Sequence, residues 1–466
     1  MRTITLTGDE RLQPADLERA GALPREIMDA AQAIVDDVRA RGAEAVRDYC
    51  MRFDGACPDS FRVPNEVVQG ALDMVDPEFL EALRLAERQI REFHEREREQ
   101  SWFTTRPDGT ILGVKVTPVP SVAVYVPGGR AQYPSTVLMD TLPAKVAGVP
   151  RVIMVTPPQR DGSLSAYTLA AAALAGVDEV YAVGGAQAIG AVAYGTASIP
   201  KVAKVVGPGN AYVAAAKRYV SGDIGIDMVA GPSEVCVLAD ATADPAVVAA
   251  DLMAQAEHDP LAACYLVTCA PELPAQVLAA IEALVSQSPR EDITRASLAD
   301  KGVIVACDTL DAAIDAVNLI APEHLELHCA DAFSLLGKIE NAGAIFVGPW
   351  SSEPLGDYVA GPNHTLPTGG TALFSNPLGV YDFQKRSSVI SYTREGLKTD
   401  GPAVQTLAQA EGLWAHALSV GMRLKLDEGA ERFDDALAAC EDAMTTAWPR
   451  ELDAPGVPNL SGVKGE

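Results

Sequence analysis

Histidines are the residues in this sequence best suited to chemistry, and their distribution is uneven. They are His94, His258, His324, His328, His364 and His416, so all but the first follow residue 250. Imidazole nitrogens bind metal ions and exchange protons near neutral pH. The distribution therefore indicates a metal or acid–base site built from the second half of the chain.

Gln255 and His258 lie near the end of a helix predicted to begin at Asp244 and Pro245, where a capping carboxylate precedes a proline. Three residues apart, they share one face of the helix and can offer an amide oxygen and an imidazole nitrogen to one cation. The alternative is a histidine that only caps the carboxyl end of the helix, and spacing alone favours it.

Glu323 and His324 form an adjacent carboxylate–imidazole dyad that closes a predicted helix, directly before the predicted strand Leu325–His328. Histidine can take a hydroxyl proton near neutral pH, whereas glutamate can hold a water for attack. His328 follows on the same strand, where we expect a structural role. His324 and His328 are four residues apart, but they do not form the His-Glu-x-x-His pattern of zinc proteases, because Leu325 and not a glutamate follows His324.

Two later segments add candidate polar groups. Asp357 is a plausible hard metal ligand and His364 a plausible substrate contact, but both stand in a Gly- and Pro-rich stretch where such residues often bond only to their own backbone. Glu411 and His416 lie five residues apart on a predicted helical arm, and both could approach one pocket.

Glycine turns follow three of the predicted strands, at Gly128, Gly184 and Gly207. None completes the Gly-x-Gly-x-x-Gly dinucleotide motif, because Tyr212 stands where the third glycine of the last turn would be. The motif is therefore a weak indication of a nucleotide. Backbone amides at the helix starts after these turns can still hold a pyrophosphate.

The elements that must position these groups alternate. Residues 15–105 are predicted to be helical, and from Ser121 short apolar runs alternate with helical segments, which is typical of α/β folds with parallel sheets. The first runs are Val122–Val126, Val152–Val155, Val180–Val183 and Val202–Val206, the last interrupted by Lys204. The second set is Val235–Ala239, Ala263–Val267, Val303–Ala306, Leu325–His328 and Ala344–Val347. Two such sets suggest two incomplete Rossmann-like domains, and periodicity alone leaves a duplication open.

Composition narrows the class of protein. The net charge of −26 disfavours nucleic acid and anionic membrane surfaces as partners. The first residues carry charge where a signal peptide needs its apolar core, so a cytoplasmic protein is expected. No two of the eight cysteines are spaced Cys-x-x-Cys, which favours buried free thiols over disulfides or thiolate metal sites.

Taken together, these segments resemble the histidinol dehydrogenase family from about residue 20 to 425. The resemblance rests on many short motifs in order, among them Val124–Gly129, Val183–Gln187, Gly207–Asn210, Ile226–Glu234, Gln255–His258, Ala321–Leu325, Gly356–Tyr358, Asn363–Pro367, Asp382–Arg386 and Glu411–His416. It implies an oxidoreductase of histidine biosynthesis that converts L-histidinol through L-histidinal to L-histidine with NAD.

The resemblance also implies a role for each candidate residue. Glu323 and His324 would be catalytic, and one zinc ion per subunit would be held by Gln255, His258, Asp357 and His416. These four and His324 would also contact the substrate, together with Ser233, His364 and Glu411. Tyr125, Gln187 and Asn210 would contact NAD.

In this family the C-terminal arm crosses to a partner subunit, so the resemblance implies a homodimer with shared active sites. We expect, in order, an N-terminal segment (1–20), a first α/β domain with a helical N-terminal part (21–120 and 233–380), a Rossmann-like NAD-side domain (121–232), a dimerisation arm (381–440) and a disordered tail (441–466). The first α/β domain would hold the zinc and the dyad.

The sequence leaves three alternative functions open. A related zinc- and NAD-dependent dehydrogenase could act on another alcohol, such as a sulfonated diol. A zinc hydrolase would use Glu323 with a metal-bound water, but would need neither the glycine turns nor Asn210. A non-catalytic binding protein would be expected to have lost part of the Glu323–His324 dyad.

Overall fold

The computed structural model describes residues 1–17, 23–128 and 132–427, and beyond these only residues 434, 435, 438 and 440. The expected tail at 441–466 lies outside the described residues. The chain forms two compact units. Unit 1 comprises Met1–Glu99 and Pro118–Lys385, and unit 2 comprises Gln100–Thr117 and the described residues from Arg386 onward.

Strands account for the sheets of both units. In chain order they are β1 (Arg2–Leu6), β2 (Arg62–Val63), β3 (Trp102–Thr105), β4 (Ile111–Pro118), β5 (Val122–Tyr125), β6 (Val152–Thr156), β7 (Glu179–Ala182), β8 (Lys204–Val206), β9 (Gly225–Ile226), β10 (Glu234–Ala239), β11 (Ala263–Thr268), β12 (Gly302–Cys307), β13 (His324–His328), β14 (Ala344–Val347) and β15 (Gln384–Ser391).

Helices lie between most of the strands. They are α1 (Arg25–Arg41), α2 (Ala43–Phe53), α3 (Asn65–Gly70), α4 (Pro77–Glu95), α5 (Pro134–Ala147), α6 (Ala166–Ala175), α7 (Gly185–Tyr194), α8 (Ala211–Val220), α9 (Pro245–Ala256), α10 (Leu273–Val285), α11 (Glu291–Asp300), α12 (Leu310–Ile320), α13 (Glu353–Tyr358), α14 (Arg394–Ala410) and α15 (Trp414–Asp427).

The first sheet of unit 1 has the strand order β2-β7-β6-β5-β8-β9. Its strands are parallel except for β2, which pairs antiparallel with β7. Successive residues of β5 enter opposite cores, because Val122 and Val124 belong to one apolar cluster and Ala123 and Tyr125 to another. Burial on both faces explains why these strands are continuous apolar runs.

The second sheet of unit 1 is parallel throughout and has the order β1-β12-β11-β10-β13-β14. Alternate residues of β10 again enter two cores, with Val235 and Val237 on one face and Cys236 and Leu238 on the other. The strand β13, which carries the dyad histidine, lies between β10 and β14.

Unit 2 contains a three-stranded sheet in the order β15-β4-β3 and the helix pair α14 and α15. The strands β3 and β4 pair antiparallel. A small apolar cluster that includes Ala408 and Ala417 packs the two helices together. Unit 2 therefore has a core of its own.

Several elements differ from the sequence-based predictions. The region 15–105, predicted to be helical, also contains the strands β2 and β3. The run Val202–Val206 forms a strand only from Lys204 onward, because the N–H of Val202 bonds to the backbone oxygen of Val192 and not to a neighbouring strand. The Lys204 amine lies 2.7 Å from the backbone oxygen of Asp382. The N-terminal segment forms the edge strand β1, which was not predicted. Among the described residues, no helix is both long and apolar enough to cross a membrane.

Candidate active site

The Glu323–His324 dyad lies where the chain passes from α12 into β13. Helix α12 ends at Ile320, before the dyad that the sequence placed at its end, and is capped by Ala321, whose left-handed backbone (φ 43°) is uncommon for a residue other than glycine. Pro322 follows, and the strand begins at His324. The dyad thus sits at the amino end of a parallel strand, although ligands of open α/β sheets usually bind at the carboxyl ends.

Hydrogen bonding fixes the orientation of the buried His324 ring. Its Nδ1 lies 3.1 Å from the backbone oxygen of Glu234 and 3.1 Å from Oε1 of Gln255. A carbonyl oxygen can only accept, so Nδ1 carries a proton. In the neutral ring Nε2 then has a free lone pair, and this atom makes no hydrogen bond within the described residues. Nε2 is therefore the ring nitrogen that can accept a proton whenever the ring is neutral.

Glu323 is buried beside the ring. Its Oε2 accepts the backbone N–H of Glu234 at 2.8 Å and lies 3.9 Å from Nδ1 of His324. Burial raises the pKa of the Glu323 carboxyl to about 8. Burial alone would lower the pKa of His324, but the nearby carboxylates of Glu323 and Asp357 outweigh it and raise that pKa to about 10.

Three side chains beside the dyad can hold one cation. Ligand atoms of His258, Glu353 and Asp357 all lie within 4.8 Å of one another, and Oδ1 of Asp357 lies 3.6 Å from Nε2 of His324. Imidazole and carboxylate donors form a set that zinc accepts. The predicted ligand Gln255 lies next to them, with its Oε1 turned toward His324.

Glu353 was not singled out from the sequence. It is the first residue of the short helix α13 and lies four residues before Asp357, a spacing that places both carboxylates on one helical face. That spacing was the available signal. It is visible only once Glu353–Tyr358 is recognised as helical, and the sequence there resembles a loop.

Ser233 and His364 are both half-buried in unit 1. Ser233 immediately precedes β10, and its backbone oxygen accepts the N–H of Ala263. Nδ1 of His364 lies 2.9 Å from the backbone oxygen of Asp357, so His364 is held directly against the helix that carries two of the cation donors.

Glu411 and His416 belong to unit 2. Glu411 follows the last residue of α14, and His416 lies in the first turn of α15. Both side chains are exposed on their own unit. They are therefore available for contacts beyond this unit.

The three predicted NAD contacts line one cavity of unit 1, whose volume is about 1280 Å³. Tyr125 lies at the end of β5, and its hydroxyl accepts the N–H of Gly185 at 3.0 Å. Gln187 lies in the first turn of α7, and its buried Oε1 has no hydrogen-bond partner among the described residues. The Asn210 side chain caps α8 by accepting from Tyr212 and Val213. The cavity opens at the carboxyl ends of the first sheet's strands, where dinucleotides bind in such folds.

A buried ion pair fastens the turn that precedes Asn210. The amine of Lys217 and Oδ1 of Asp227 lie 2.5 Å apart. Lys217 donates to the backbone oxygen of Gly207, and Asp227 accepts the backbone N–H of Gly207. Gly207 has φ 110°, and a side chain there would collide with the backbone oxygen of Tyr125. The turn is thus held close to β5 from both sides.

A family model, curated relatives and a solved structure all indicate the same family. Residues 17–424 match the family model described as histidinol dehydrogenase. The chain is 49% identical over 423 residues to the histidinol dehydrogenase of Bacillus subtilis, which covers 91% of this chain and 99% of that protein. It is 51% identical over 408 residues to the one from Aquifex aeolicus, covering 87% and 94%. The crystal structure of histidinol dehydrogenase from Elizabethkingia anophelis superposes with a TM-score of 0.87 at 34% identity, covering 92% of this chain and 99% of that one.

Proposed function

The chain belongs to the histidinol dehydrogenase family, and we propose that it oxidises L-histidinol through L-histidinal to L-histidine with one zinc ion per subunit. Two NAD molecules would be consumed. The first step removes a hydride and a proton from the alcohol. The second adds water to the aldehyde and removes a second hydride, leaving the carboxylate.

The observation that carries this proposal is the fixed tautomer of His324. Its Nδ1 faces the carbonyl oxygen of Glu234, so its unpartnered Nε2 is the atom that takes the alcohol proton in the first step. In the second step the same nitrogen takes a proton from the aldehyde hydrate. A base whose ring is already held in place loses little freedom in the reaction.

Glu323 is suited to activate the water of the second step. Its buried carboxylate is bonded to the N–H of Glu234 through one oxygen, Oε2. The raised pKa makes it a stronger base than an exposed glutamate. The two residues of the dyad thereby take different roles, the histidine with the hydroxyl proton and the glutamate with the water.

The donor set is compatible with zinc. His258 and Asp357 were proposed as ligands from the sequence, with Gln255 and His416, and Glu353 joins His258 and Asp357 in one cluster. A zinc ion there would orient the amine and imidazole of histidinol and reduce the negative charge that raises the pKa of His324. Ser233, His364 and Glu411 would hold the remaining parts of the substrate.

NAD would occupy the cavity lined by Tyr125, Gln187 and Asn210. Its volume of about 1280 Å³ exceeds that of typical ligand cavities, which measure about 300–1,000 Å³, so a dinucleotide can be accommodated. The proposed dimer supplies His416 and Glu411 from the arm of the partner subunit, and their exposure on their own unit suits that role.

The stoichiometry of the reaction tests this function. Purified protein with zinc, NAD and L-histidinol should form two NADH for each histidine. A chelator should abolish the reaction, and added zinc should restore it. One NADH per turnover with accumulated aldehyde, or equal activity on a sulfonated diol, would contradict the assignment.

A further inference from the structure

A second cluster of charged side chains lies inside the fold, beside the proposed site. Asp251 on α9 and Glu326 and His328 on β13 are all buried, with 7%, 0% and 3% of their surfaces exposed. Nε2 of His328 lies 3.3 Å from Oδ2 of Asp251 and 3.5 Å from Oε2 of Glu326. We call these three residues the buried ionic cluster.

Buried carboxylates are costly unless a positive charge or several hydrogen bonds compensate them. Both carboxylates here face the same ring nitrogen, so an imidazolium is the compensating charge. Burial by itself would lower the pKa of His328, but Asp251 and Glu326 outweigh it and raise that pKa to about 9. The ring is consequently charged at neutral pH and holds α9 against β13.

The cluster continues to a third element through Glu326. Its second oxygen, Oε1, accepts the backbone N–H of Glu353 at 2.7 Å, at the first residue of α13. This helix carries two of the cation donors, Glu353 and Asp357. One side chain therefore contacts both the imidazole ring of His328 and the helix of the donors.

The same faces carry the cluster and the proposed site. On β13, His324, Glu326 and His328 alternate with apolar residues and so point to one side of the sheet. On α9, Asp251 lies one turn before Gln255, on the face that leads to His258. The buried ionic cluster thus lies next to the groups that would bind zinc and take the proton, on the same faces of β13 and α9.

We propose that the buried ionic cluster is a set of positioning residues that locks α9, β13 and α13 in register, so that the zinc donors and His324 converge before any ligand binds. This inference rests on the proposed zinc-dependent function. Asp251, Glu326 and His328 do not touch the substrate. Their effect passes through the backbone of Glu353 and through the helix that bears Gln255 and His258.

Two substitutions of Glu326 separate the hydrogen bond from the charge. Glu326→Gln keeps an oxygen that can accept from Glu353, whereas Glu326→Leu removes the acceptor. Loss of a group that orients metal ligands weakens metal binding by about 10- to 100-fold. Glu326→Leu should show such a loss and a raised KM for histidinol, while Glu326→Gln should stay within a few-fold of the unaltered protein.

The measurements should not depend on activity alone. Affinity for Zn²⁺ is obtained by competition with a chromophoric chelator, and the visible spectrum of the Co²⁺-loaded protein reports ligand geometry. Amide hydrogen exchange of α13 in the metal-free protein reports whether the helix is held before binding, and Glu326→Leu should speed it. Thr268→Val is the matched control, because in the same sheet it removes the buried hydrogen bonds that the Thr268 hydroxyl donates to Ala239 and accepts from the N–H of Ala270. It should lower the melting temperature but leave metal affinity unchanged.

Each remaining outcome decides the question. Should Glu326→Leu fail to fold, His328→Gln keeps a donor, loses the charge, and should still weaken zinc binding by about tenfold. Unchanged zinc affinity in a folded Glu326→Leu or His328→Gln protein would overturn the proposal. So would two zinc equivalents in the unaltered chain and one in His328→Gln, because the cluster would then be a second metal site. If the unaltered chain bound no zinc and oxidised no histidinol, the proposed function itself would fail.

Discussion

At the scale of single residues, the proposed function assigns two kinds of proton chemistry to neighbouring residues. The proposed base His324 is oriented by a backbone oxygen, while Glu323 is oriented by a backbone N–H, and both of these groups belong to Glu234. One peptide segment at the start of β10 therefore positions the whole dyad. Side chains at Glu323 and His324 can be changed without removing these backbone partners.

Replacing each member of the dyad should stop a different step. His324→Asn should lower kcat for the first oxidation by about 10²- to 10⁴-fold, since the alcohol loses its base. Glu323→Gln should retain the first oxidation and fail in the second, because the water loses its base. NADH formation from histidinol and from histidinal, measured separately, distinguishes the two steps.

His94→Asn is the matched control for the dyad variants. His94 is a buried histidine of α4 outside the site, and its Nδ1 lies 2.7 Å from Oε2 of Glu97. Its replacement should leave both oxidation steps at their normal rates. Equal impairment of the two steps in Glu323→Gln would contradict the division of roles.

The site was only partly predictable at this scale. The adjacency of Glu323 and His324 and the three-residue spacing of Gln255 and His258 are visible in the sequence, because local spacing fixes which helix face or strand end a residue occupies. Glu353 was missed, because its place among the candidate cation ligands depends on how the short helix α13 packs against β13. Asn210 was considered only as a nucleotide contact, so its capping of α8 was not predicted either.

At the scale of elements, a buried carboxyl joins α5 to the segment that carries His364. Oδ1 of Asp140 accepts the hydroxyl of Thr365 at 2.8 Å, while Oδ2 has no hydrogen-bond partner among the described residues. Burial, together with the like charge of Asp227, raises the pKa of Asp140 to about 8. The neutral carboxyl is thus the form that the fold accommodates.

The stability of unit 1 should therefore depend on pH through Asp140. Between about pH 4 and pH 8 the folded protein keeps a proton that the unfolded chain has released, so stability falls as pH rises, by up to about 1.4 kcal/mol per pH unit. Above pH 8 the loss is complete. Asp140→Asn should flatten this slope and raise the melting temperature most at alkaline pH.

Melting temperatures measured from pH 5 to pH 9 check this expectation. The control is Asp244→Asn, the same chemical change at the exposed cap of α9, where asparagine caps as well as aspartate. It should leave the slope unchanged. Parallel curves for the unaltered chain and Asp140→Asn would show that Asp140 does not carry the effect.

Most strands were predictable as elements, because burial on both faces makes them short apolar runs. The strand β1 was not, since Arg2–Leu6 alternates threonine with isoleucine and leucine and its partner β12 lies far along the chain. The end of the helix before the dyad was predicted wrongly, because α12 ends at Ile320 and His324 is the first residue of β13. Helix α9 runs back along the sheet, so its last turn, which carries Gln255, meets the start of β13.

At the scale of the whole molecule, the proposed sharing of the arm can be tested without a structure of the dimer. A chain with His324→Asn and a chain with His416→Asn should each be inactive. Mixed dimers would contain one site with both residues intact if His416 acts in the partner's site. An equal mixture should then regain about a quarter of the normal activity, since half of the dimers are mixed and each has one complete site.

Denaturing and refolding the two chains together, then separating differently tagged dimers, gives the measurement. Each variant refolded alone serves as the control and should remain inactive. A mixture without activity, despite isolated mixed dimers, would place His324 and His416 of one chain in the same site.

The pairing of β1 with β12 delays the folding of the N-terminal strand during synthesis on the ribosome. Residues Arg2–Leu6 can form their hydrogen bonds only after Val303–Cys307 have been made. At ~5–20 residues per second, roughly 300 residues take about 15 to 60 seconds to synthesise. During that interval β1 has no partner strand. The rate of translation therefore sets the earliest time at which the second sheet can be completed.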